Sequence, residues 1–265
     1  MPKILLFIPM YNCEKQIVRV LSQINNTNKD FFTEIIVVNN KSTDNGEDAV
    51  INFCQNNINL PPIKLLRNDS NYGLGGSHKV AFDYAIKNNF DYVITLHGDD
   101  QGDICNIIPY LESKEYEKYD CLLGARFMKG SKLQGYSKFR TFGNIVYNII
   151  FSCCLGEKIF DLGSGLNMYK VEILKNKFYT KYKDNLMFNY CMVIGSSFYK
   201  HNIKFFPIIW KEDDQISNVK LTSQAIIVLL LLFSYVFNKK KFTETEHREN
   251  IINEYNAKII YEKKV

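Results

Sequence analysis

The first hundred residues alternate between short apolar runs and longer amphipathic stretches. Four apolar runs predict strands, at residues 4–8, 34–38, 64–66 and 92–96. The stretches between them predict helices, at residues 14–24, 48–54 and 75–88. This alternation is typical of βαβ units, and we therefore expect an α/β fold with a mostly parallel central sheet. In such a sheet, ligands bind beyond the carboxyl ends of the strands.

The pattern is less regular from about residue 120 onward. Residues 120–124 and 205–210 predict strands, a basic segment covers residues 129–140, and an apolar stretch at 144–155 predicts a helix. We expect this part to complete the same domain and to carry the acceptor side of a cleft. The segment after Lys239 is charged and compatible with a helix, and it carries no motif that we can interpret.

Polar residues follow the first predicted strand and could contact a nucleoside. Pro9 fixes the turn, Tyr11 could stack on a base, and Asn12 or Glu14 could hydrogen-bond to a base or a ribose. The alternative is a plain strand-to-helix turn with Asn12 as the N-cap. The second strand ends in Asn39 and Asn40, where a turn and a helix cap are again sufficient explanations.

The fourth predicted strand ends in the most informative sequence, which is His97-Gly98-Asp99-Asp100-Gln101. Carboxylates clustered at a strand end are hard oxygen ligands for Mg²⁺ or Mn²⁺, and such ions keep positions open for diphosphate oxygens. Residues 68–76, which are rich in glycine, could present backbone N–H groups to a phosphate, although they match no P-loop.

Several motifs in order resemble family 2 glycosyltransferases of the GT-A fold (Rossmann-like nucleotide-diphospho-sugar transferases), in particular the dolichyl- or polyprenyl-phosphate sugar synthases. The matching segments lie at residues 8–12, 37–42, 71–75, 97–101, 124–127, 161–165 and 213–220. They span roughly residues 3–222 of the chain. The resemblance implies a nucleotide-diphosphate sugar donor, a divalent metal (Mg²⁺ or Mn²⁺) and a lipid-phosphate or glycan acceptor.

The resemblance also assigns roles to individual residues. It implies a nucleotide-sugar site formed by Pro9, Tyr11, Asn12, Glu14, Asn39, Asn40, Gly75, His97, Gly98, Gln101 and Arg126. It implies acceptor or phosphate contacts from Lys138, Arg140, Ser164 and Lys220. Asp99 is the expected main metal ligand, with His97 as a second candidate. Two departures from the family pattern are Asn39-Asn40 in place of Asp-Asp, and His97 in place of the first Asp of the metal motif.

The family's members invert the anomeric centre. A lipid phosphate is already an anion and needs no general base, whereas a sugar hydroxyl needs one, and Asp213 or Asp214 is the candidate. The acidic residues lost at positions 39, 40 and 97 keep a second hypothesis open, which is a catalytically silent nucleotide-sugar-binding or scaffolding protein. A nucleotidyltransferase is disfavoured because no Gly-rich loop bearing Arg and Lys follows the first strand.

Composition narrows the class of protein. The chain has 265 residues, with 33 Lys and Arg against 28 Asp and Glu, and the net charge of +5 is small for a nucleic-acid binder. The seven cysteines include no CxxC pair, so we expect reduced thiols in the cytoplasm rather than a disulfide framework or a zinc site. The first residues lead directly into a strand, which predicts no signal peptide.

An apolar segment near the end suggests a membrane surface. Residues 225–237 are almost entirely apolar, and Lys239, Lys240 and Lys241 follow them. A helix of this length is short for the ~30 Å hydrocarbon core, so we expect a peripheral, interfacial helix on the inner face of the membrane. A core helix and a homo-oligomer contact are alternatives. A tilted span is a third alternative, because the uncharged stretch at residues 221–238 would reach ~27 Å as a helix, although Thr222, Ser223 and Gln224 argue against it. The predicted organisation is therefore a GT-A domain (1–222), an apolar helix (223–241) and a charged tail (242–265).

Overall fold

The computed structural model describes residues 2–212 and 221–264, and the side chains of residues 221–225 are outside that description. The strands are β1 (Ile4–Met10), β2 (Glu34–Asn39), β3 (Ile63–Asn68), β4 (Tyr92–Leu96), β5 (Cys121–Ala125), β6 (Lys132–Gln134), β7 (Leu166–Lys170), β8 (Ile203–Pro207), β9 (Ile209–Lys211) and β10 (Ala257–Lys263). The helices are α1 (Glu14–Ser22), α2 (Gly46–Asn56), α3 (Gly73–Lys87), α4 (Ile108–Glu112), α5 (Lys138–Leu155), α6 (Val171–Leu174), α7 (Phe188–Phe198), α8 (Leu221–Phe237) and α9 (Lys239–Glu244).

Eight of these strands form one mixed sheet in the order β10-β3-β2-β1-β4-β7-β5-β8. Strands β3, β2, β1 and β4 run parallel to one another, as the βαβ pattern predicts. Strand β7 lies antiparallel between β4 and β5, and β10 pairs antiparallel with β3. A separate two-stranded sheet joins β6 to β9. The carboxyl ends of β1, β2 and β4 therefore meet at one edge of the sheet.

The sheet is buried on both faces, which explains the continuous apolar runs of its central strands. On β1, Leu5 and Phe7 point to one face and Leu6 and Ile8 to the other, with the period of two that a strand imposes. Helices α3, α5, α7 and α8 contribute to the first face, whereas α1 and α2 contribute to the second.

The structure differs from the sequence-based expectations mainly after residue 120. The predicted strand at 205–210 divides into β8 and β9, because the chain turns at Ile208 from the large sheet to the small one. The basic residues from Lys138 onward belong to α5, which begins where the Ser137 hydroxyl accepts a hydrogen bond from the Arg140 N–H. The segment after Lys239 is not helical throughout, since its last part forms β10 on the edge of the sheet.

The apolar segment near the end forms helix α8, which packs one side against the core through Val228, Leu231, Leu232 and Tyr235. Within residues 2–212 and 221–264, no helix is both long enough and apolar enough to cross a bilayer.

Candidate active site

A cleft of about 350 Å³ opens at the carboxyl ends of β1, β2 and β4. Its lining includes Pro9, Met10, Tyr11, Cys13, Asn40, Asn71, Gly73, Leu74, Ser77, His97, Gly98, Asp99, Asn185 and Leu186. The structure thus brings together Pro9, Tyr11, Asn40, His97, Gly98 and Asp99 from the predicted set. Gly98 is required there because a Cβ at this position would lie 2.7 Å from the Pro9 carbonyl oxygen. This close approach lets the β4 loop cross directly over the end of β1.

The loops after β1 and β2 hold each other in place through side-chain caps. The Asn12 side-chain oxygen accepts a hydrogen bond from the Thr43 N–H at 2.8 Å, and the Asn12 N–H donates to the Ser42 hydroxyl at 3.0 Å. The Glu14 N–H donates to the Asp44 carboxylate at 2.8 Å. Asn12 and Glu14 therefore act as braces between two loops, which is closer to the turn interpretation than to direct nucleoside contact.

Left-handed backbone conformations occur after three of the strands that end at the cleft. Asn12, Lys41 and Asp100 have φ values of 49°, 61° and 61° and follow β1, β2 and β4 respectively. Positive φ is uncommon for residues with a side chain and costs free energy unless the surroundings stabilise it. The side-chain caps supply that stabilisation at Asn12, while the Asp100 carboxylate accepts hydrogen bonds from Arg19 and Gln23.

The two asparagines that replace acidic residues use their amides inside the protein. Asn39 donates to Glu47 and accepts from both the backbone N–H and the hydroxyl of Ser42. Asn40 accepts from the Tyr72 N–H at 2.8 Å and from Asn68 at 3.0 Å, and it donates to Asn71 at 2.8 Å. Both amides therefore fix loops, and only Asn40 also lines the cleft.

His97 and Asp99 are the polar centre of the cleft floor. Burial raises the pKa of Asp99 to about 6, although two backbone N–H groups oppose the shift. Burial also lowers the pKa of His97 to about 4, and the nearby Arg126 cation acts in the same direction, so this imidazole is neutral at physiological pH. Its Nε2 atom is buried without a hydrogen-bond partner among the described residues. A neutral ring with an unpartnered nitrogen retains the capacity to bind a ligand.

Among the described residues, no group of three or more His, Cys, Asp and Glu side chains is placed to hold a metal by protein ligands alone. Asp100 is directed away from the cleft floor, since it forms an ion pair with Arg19 at 2.5 Å. Gln101 is fixed through its backbone, whose carbonyl accepts from the Lys211 N–H at 3.0 Å. Asp99 is therefore the carboxylate that this loop presents to the cleft.

The predicted basic residues of the second half are largely neutralised by acidic partners. Arg126 forms a bidentate pair with Asp161, with distances of 2.7 and 2.8 Å, and both side chains are buried. Burial disfavours the charged form of Arg126, but the Asp161 carboxylate raises its pKa overall. Arg140 pairs with Glu212 at 2.7 Å. Neither guanidinium lines the cleft, and Lys138 lies exposed at the start of α5.

Ser164 and Gly75 serve the architecture around the cleft. The Ser164 side chain is buried, and its hydroxyl accepts a hydrogen bond from the Leu166 N–H at 3.2 Å. The Gly75 N–H donates to the Asp184 carbonyl at 2.6 Å, so this predicted phosphate donor is already occupied. A Cβ on Gly75 would lie 2.4 Å from the Lys183 carbonyl oxygen, so close packing explains this glycine.

Sequence reasoning missed one wall of the cleft, which Asn185 and Leu186 provide. Their segment is anchored by the buried Lys79 ammonium, which donates to the Tyr182 carbonyl at 2.6 Å and to the Asp184 carboxylate at 2.7 Å. The Tyr255 hydroxyl also donates to Asp184, at 2.8 Å. No local motif marks these residues, and the one available signal was a lysine in the middle of α3, beside apolar Val80, Ala81 and Phe82.

Asp213, Asp214 and Lys220 lie outside the described residues, so their predicted roles as base and phosphate contact stay predictions.

The family model named Glycosyl transferase family 2 matches residues 6–178. This match covers more than half of the chain, and the protein therefore belongs to that family. The matched span begins within β1 and contains β2 to β7, including every described strand end that lines the cleft.

Two curated relatives and two solved structures give context. An uncharacterised protein of Methanocaldococcus jannaschii is 25% identical over 173 residues, which are 65% of this chain and 67% of that protein. A UDP-N-acetylglucosamine–dolichyl-phosphate N-acetylglucosaminyltransferase of Methanococcus voltae is 28% identical over 186 residues, or 65% of this chain and 71% of the relative.

Glucosyl-3-phosphoglycerate synthase of Mycobacterium tuberculosis, solved with Mn²⁺, UDP-glucose and phosphoglyceric acid, superposes with a TM-score of 0.62. It is 15% identical, covering 89% of this chain and 80% of that one. S. aureus TarS in complex with UDP-GlcNAc gives a TM-score of 0.58 at 18% identity, covering 89% and 67%. These likenesses confirm the GT-A fold.

Proposed function

We propose that the protein is an inverting glycosyltransferase that moves a sugar from a nucleotide-diphosphate sugar to a polyprenyl phosphate. The observation that carries this proposal is the cleft at the carboxyl ends of β1, β2 and β4, where the Asp99 carboxylate faces the same space as the Tyr11 ring. Tyr11 is half exposed although it is a large aromatic residue, as expected for a ring that stacks on a base. The dolichyl-phosphate relative supports the choice of a lipid phosphate over a glycan acceptor.

The residues at the cleft floor fit a divalent metal that is shared with the donor. Mg²⁺ is commonly held by one or two carboxylates together with substrate phosphates and water, so a single protein carboxylate suffices. Asp99 would hold the ion, and the neutral His97 with its unpartnered Nε2 is the second candidate ligand. When bound, such an ion supplies electrostatic stabilisation of the departing diphosphate.

The transfer step requires two bonds to change at the anomeric carbon. An oxygen of the acceptor phosphate attacks this carbon from the face opposite the donor's diphosphate and forms the new C–O bond. The bond to the diphosphate oxygen breaks, and its electron pair leaves with the nucleoside diphosphate. An ionised acceptor phosphate carries no proton at the attacking oxygen, so the step needs no general base. With a hydroxyl acceptor a general base is needed, and Asp213 or Asp214 is the candidate.

The chain's own residues would orient this reaction. The interlocked loops after β1 and β2 fix the position of Tyr11, and Gly98 allows the Asp99 loop to lie against the end of β1. The Asn185–Leu186 wall limits the cleft on its other side. Such positioning by rigid elements reduces the entropic cost of bringing donor and acceptor together.

A donor screen followed by one substitution tests the proposal. UDP-, GDP- and CDP-sugars, each with and without Mn²⁺, should include a donor that raises the melting temperature, and that donor should be consumed when polyprenyl phosphate is added. Asp99→Asn should lower the transfer rate by at least about a hundredfold, since metal-assisted charge stabilisation is worth several kcal/mol.

Asp100→Asn is the matched control, because the neighbouring carboxylate is engaged with Arg19 and asparagine tolerates its positive φ. Undiminished transfer by Asp99→Asn would refute the site assignment. Tight, metal-independent donor binding without turnover would instead favour the catalytically silent binding protein.

A further inference from the structure

Helix α5 carries a row of large apolar side chains that face solvent. Phe139, Phe142, Val146 and Ile149 lie three or four positions apart, so they share one side of the helix. All four are exposed, and Phe142 retains 67% of its accessible surface. On the opposite side, Phe151 and Asn148 are buried. This helix therefore has two apolar sides, of which only one is covered by the protein.

Helix α8 repeats this arrangement. Its core side contains Val228, Leu231, Leu232 and Tyr235, whereas a second set of apolar residues is exposed. The exposed set consists of Ile226, Ile227, Leu230, Phe233, Val236 and Phe237. Ile226, Leu230, Phe233 and Phe237 again follow the spacing of three or four residues that defines one side of a helix.

The two rows lie on neighbouring helices. α5 and α8 contact each other, and both pack on the same face of the central sheet. We call the exposed apolar side chains of the two helices the α5/α8 surface. Scattered apolar residues on a protein surface need no explanation, but two adjacent rows of large ones mark a site of contact with another apolar phase.

The charges at the ends of the two helices are mostly positive, and the acidic exception after α5, Glu157, is engaged by the Ser197 hydroxyl. Neither the α5 nor the α8 sequence contains an Asp or Glu. Lys138 is exposed at the start of α5, and Lys239, Lys240 and Lys241 are exposed directly after α8. The nearest acidic residue along this segment, Glu244, lies 3.9 Å from Lys240. The apolar surface is thus bordered by lysines at the ends of both helices.

We propose that the α5/α8 surface docks on an anionic lipid bilayer, with both helices lying in the plane of the interface. Exposed Phe, Leu and Ile side chains would enter the boundary between headgroups and acyl chains, and the lysines would contact anionic headgroups. A second copy of the chain fits less well, because an isologous contact would bring two sets of lysines together, and lysine is depleted from interfaces.

This docking extends the proposed function. Its biological purpose depends on that function, whereas the docking itself can be tested without it. α5 packs beside the segment that carries Asp161, where the Asn148 amide donates to the Phe160 carbonyl at 2.6 Å. Phe151 of α5 contacts Tyr190, which lies close to the Arg126–Asp161 pair. A bilayer against α5 would therefore place a lipid phosphate next to the second half of the domain, where the acceptor is expected.

Flotation with vesicles tests the docking directly. The full chain should float with vesicles containing phosphatidylglycerol and bind phosphatidylcholine vesicles at least about tenfold less. Two double variants should each reduce flotation at least about tenfold. The first carries Phe142→Gln and Ile149→Gln on α5, and the second carries Leu230→Gln and Phe233→Gln on α8. Ile58→Gln is the matched control, since Ile58 is 80% exposed and lies beyond α2, on the other face of the sheet.

A probe on a native cysteine tests the orientation. Cys153 is exposed one helical turn after Ile149, whereas the exposed Cys105 lies far along the chain, in the turn before α4. Two variants are needed, each with one cysteine retained and the others replaced by serine or alanine. A fluorophore on Cys153 in the first variant should be quenched by nitroxide lipids. The same fluorophore on Cys105 in the second variant should not be quenched.

Absent flotation of the native chain, or equal quenching at the two cysteines, would overturn the proposal. So would a concentration-dependent dimer that the α5 and α8 pairs abolish, because that outcome assigns the surface to a second copy. Nucleotide-sugar binding without vesicles separates the two hypotheses. A chain that binds the donor but no vesicle refutes the docking alone, whereas one that binds vesicles but no nucleotide sugar refutes the proposed function alone.

Discussion

The two sides of the cleft are held in place by different kinds of interaction. On the side formed by β1, β2 and β4, the loops brace each other through neutral hydrogen bonds, and ion pairs there leave the Arg19 and Arg67 side chains 46% exposed. On the other side, the ion pairs of Arg126 with Asp161 and of Lys79 with Asp184 are buried. The first side thus relies on neutral hydrogen bonds and partly exposed charges, and the second relies on buried charges.

This difference has energetic consequences. An exposed ion pair contributes about 0–1 kcal/mol, because water screens its charges. Removing one member of a buried pair costs about 3–5 kcal/mol, because the other charge stays buried without a partner. The nucleoside side of the cleft should therefore tolerate the loss of single charges, while the opposite side should depend on every member of its buried pairs.

The largest expected effect is at Asp161. Asp161→Asn should lower the free energy of unfolding by about 3–5 kcal/mol, since it leaves the buried Arg126 guanidinium without its carboxylate. Urea unfolding of the native and substituted chains measures this difference.

Glu47→Gln provides the matched substitution on the nucleoside side, where Glu47 pairs with the half-exposed Arg67 and accepts from Asn39. It should cost about 1 kcal/mol or less. Equal losses for the two variants would contradict the contrast between the two sides.

A smaller effect, dependent on pH, is expected at His78, which lies between the two sides. Its ring packs against Phe7 and Phe188, and burial lowers its pKa to about 3. In the unfolded chain His78 takes up a proton near pH 6.5, whereas in the folded chain it does not. The contribution of His78 to the free energy of unfolding is therefore fully present above about pH 6.5, and it is lost as the pH decreases toward 3. The loss approaches ~1.4 kcal/mol per pH unit for this one proton.

His78→Gln should reduce that acid dependence by about one proton, because glutamine does not titrate and can still donate to the Leu74 carbonyl. Unfolding free energies at pH 7, 6 and 5 measure the slope. If the unfolding free energy depends on pH equally in the variant and the native chain, His78 is not the group responsible for the acid dependence.

A third, still smaller effect than those at Asp161 and His78 concerns the cleft wall. Tyr255→Phe removes the hydroxyl that donates to Asp184 and should cost about 1–2 kcal/mol. Because Asp184 precedes the Asn185–Leu186 wall, we expect a several-fold higher KM for the donor and a smaller change in kcat.

Tyr261→Phe is the control, since Tyr261 is on β10 and packs against the other face of the sheet. A KM that rises equally in both variants would show general destabilisation rather than positioning of the wall.

Sequence patterns predicted the first half of the fold well because apolar strands and amphipathic helices alternate there regularly. β1, β2, β3 and β4 lie within two residues of their predicted bounds at each end. The same patterns placed Tyr11, His97 and Asp99 in one cleft, because parallel strands bring their carboxyl ends to the same edge. Local periodicity and the short turns after each strand contain that information.

The second half was harder because its contacts join distant segments. β7 inserts antiparallel between β4 and β5, and β10 returns from the end of the chain to β3. The roles of Asn39, Asn40 and Gly75 also depended on such contacts, since their amide and backbone groups are used by neighbouring loops. A hydrogen-bonding residue looks the same in a sequence whether its partner is a ligand or a loop.

The α/β class, the family and the position of Asp99 at a strand end follow from periodicity and local motifs in the sequence. Which polar groups face the cleft and which are neutralised, as Arg126 is by Asp161, depends on the folded chain. The contact between α5 and α8, each with an exposed apolar row, depends on it as well. The physical reason is that burial and charge pairing depend on residues that the fold, rather than the order of the chain, brings together.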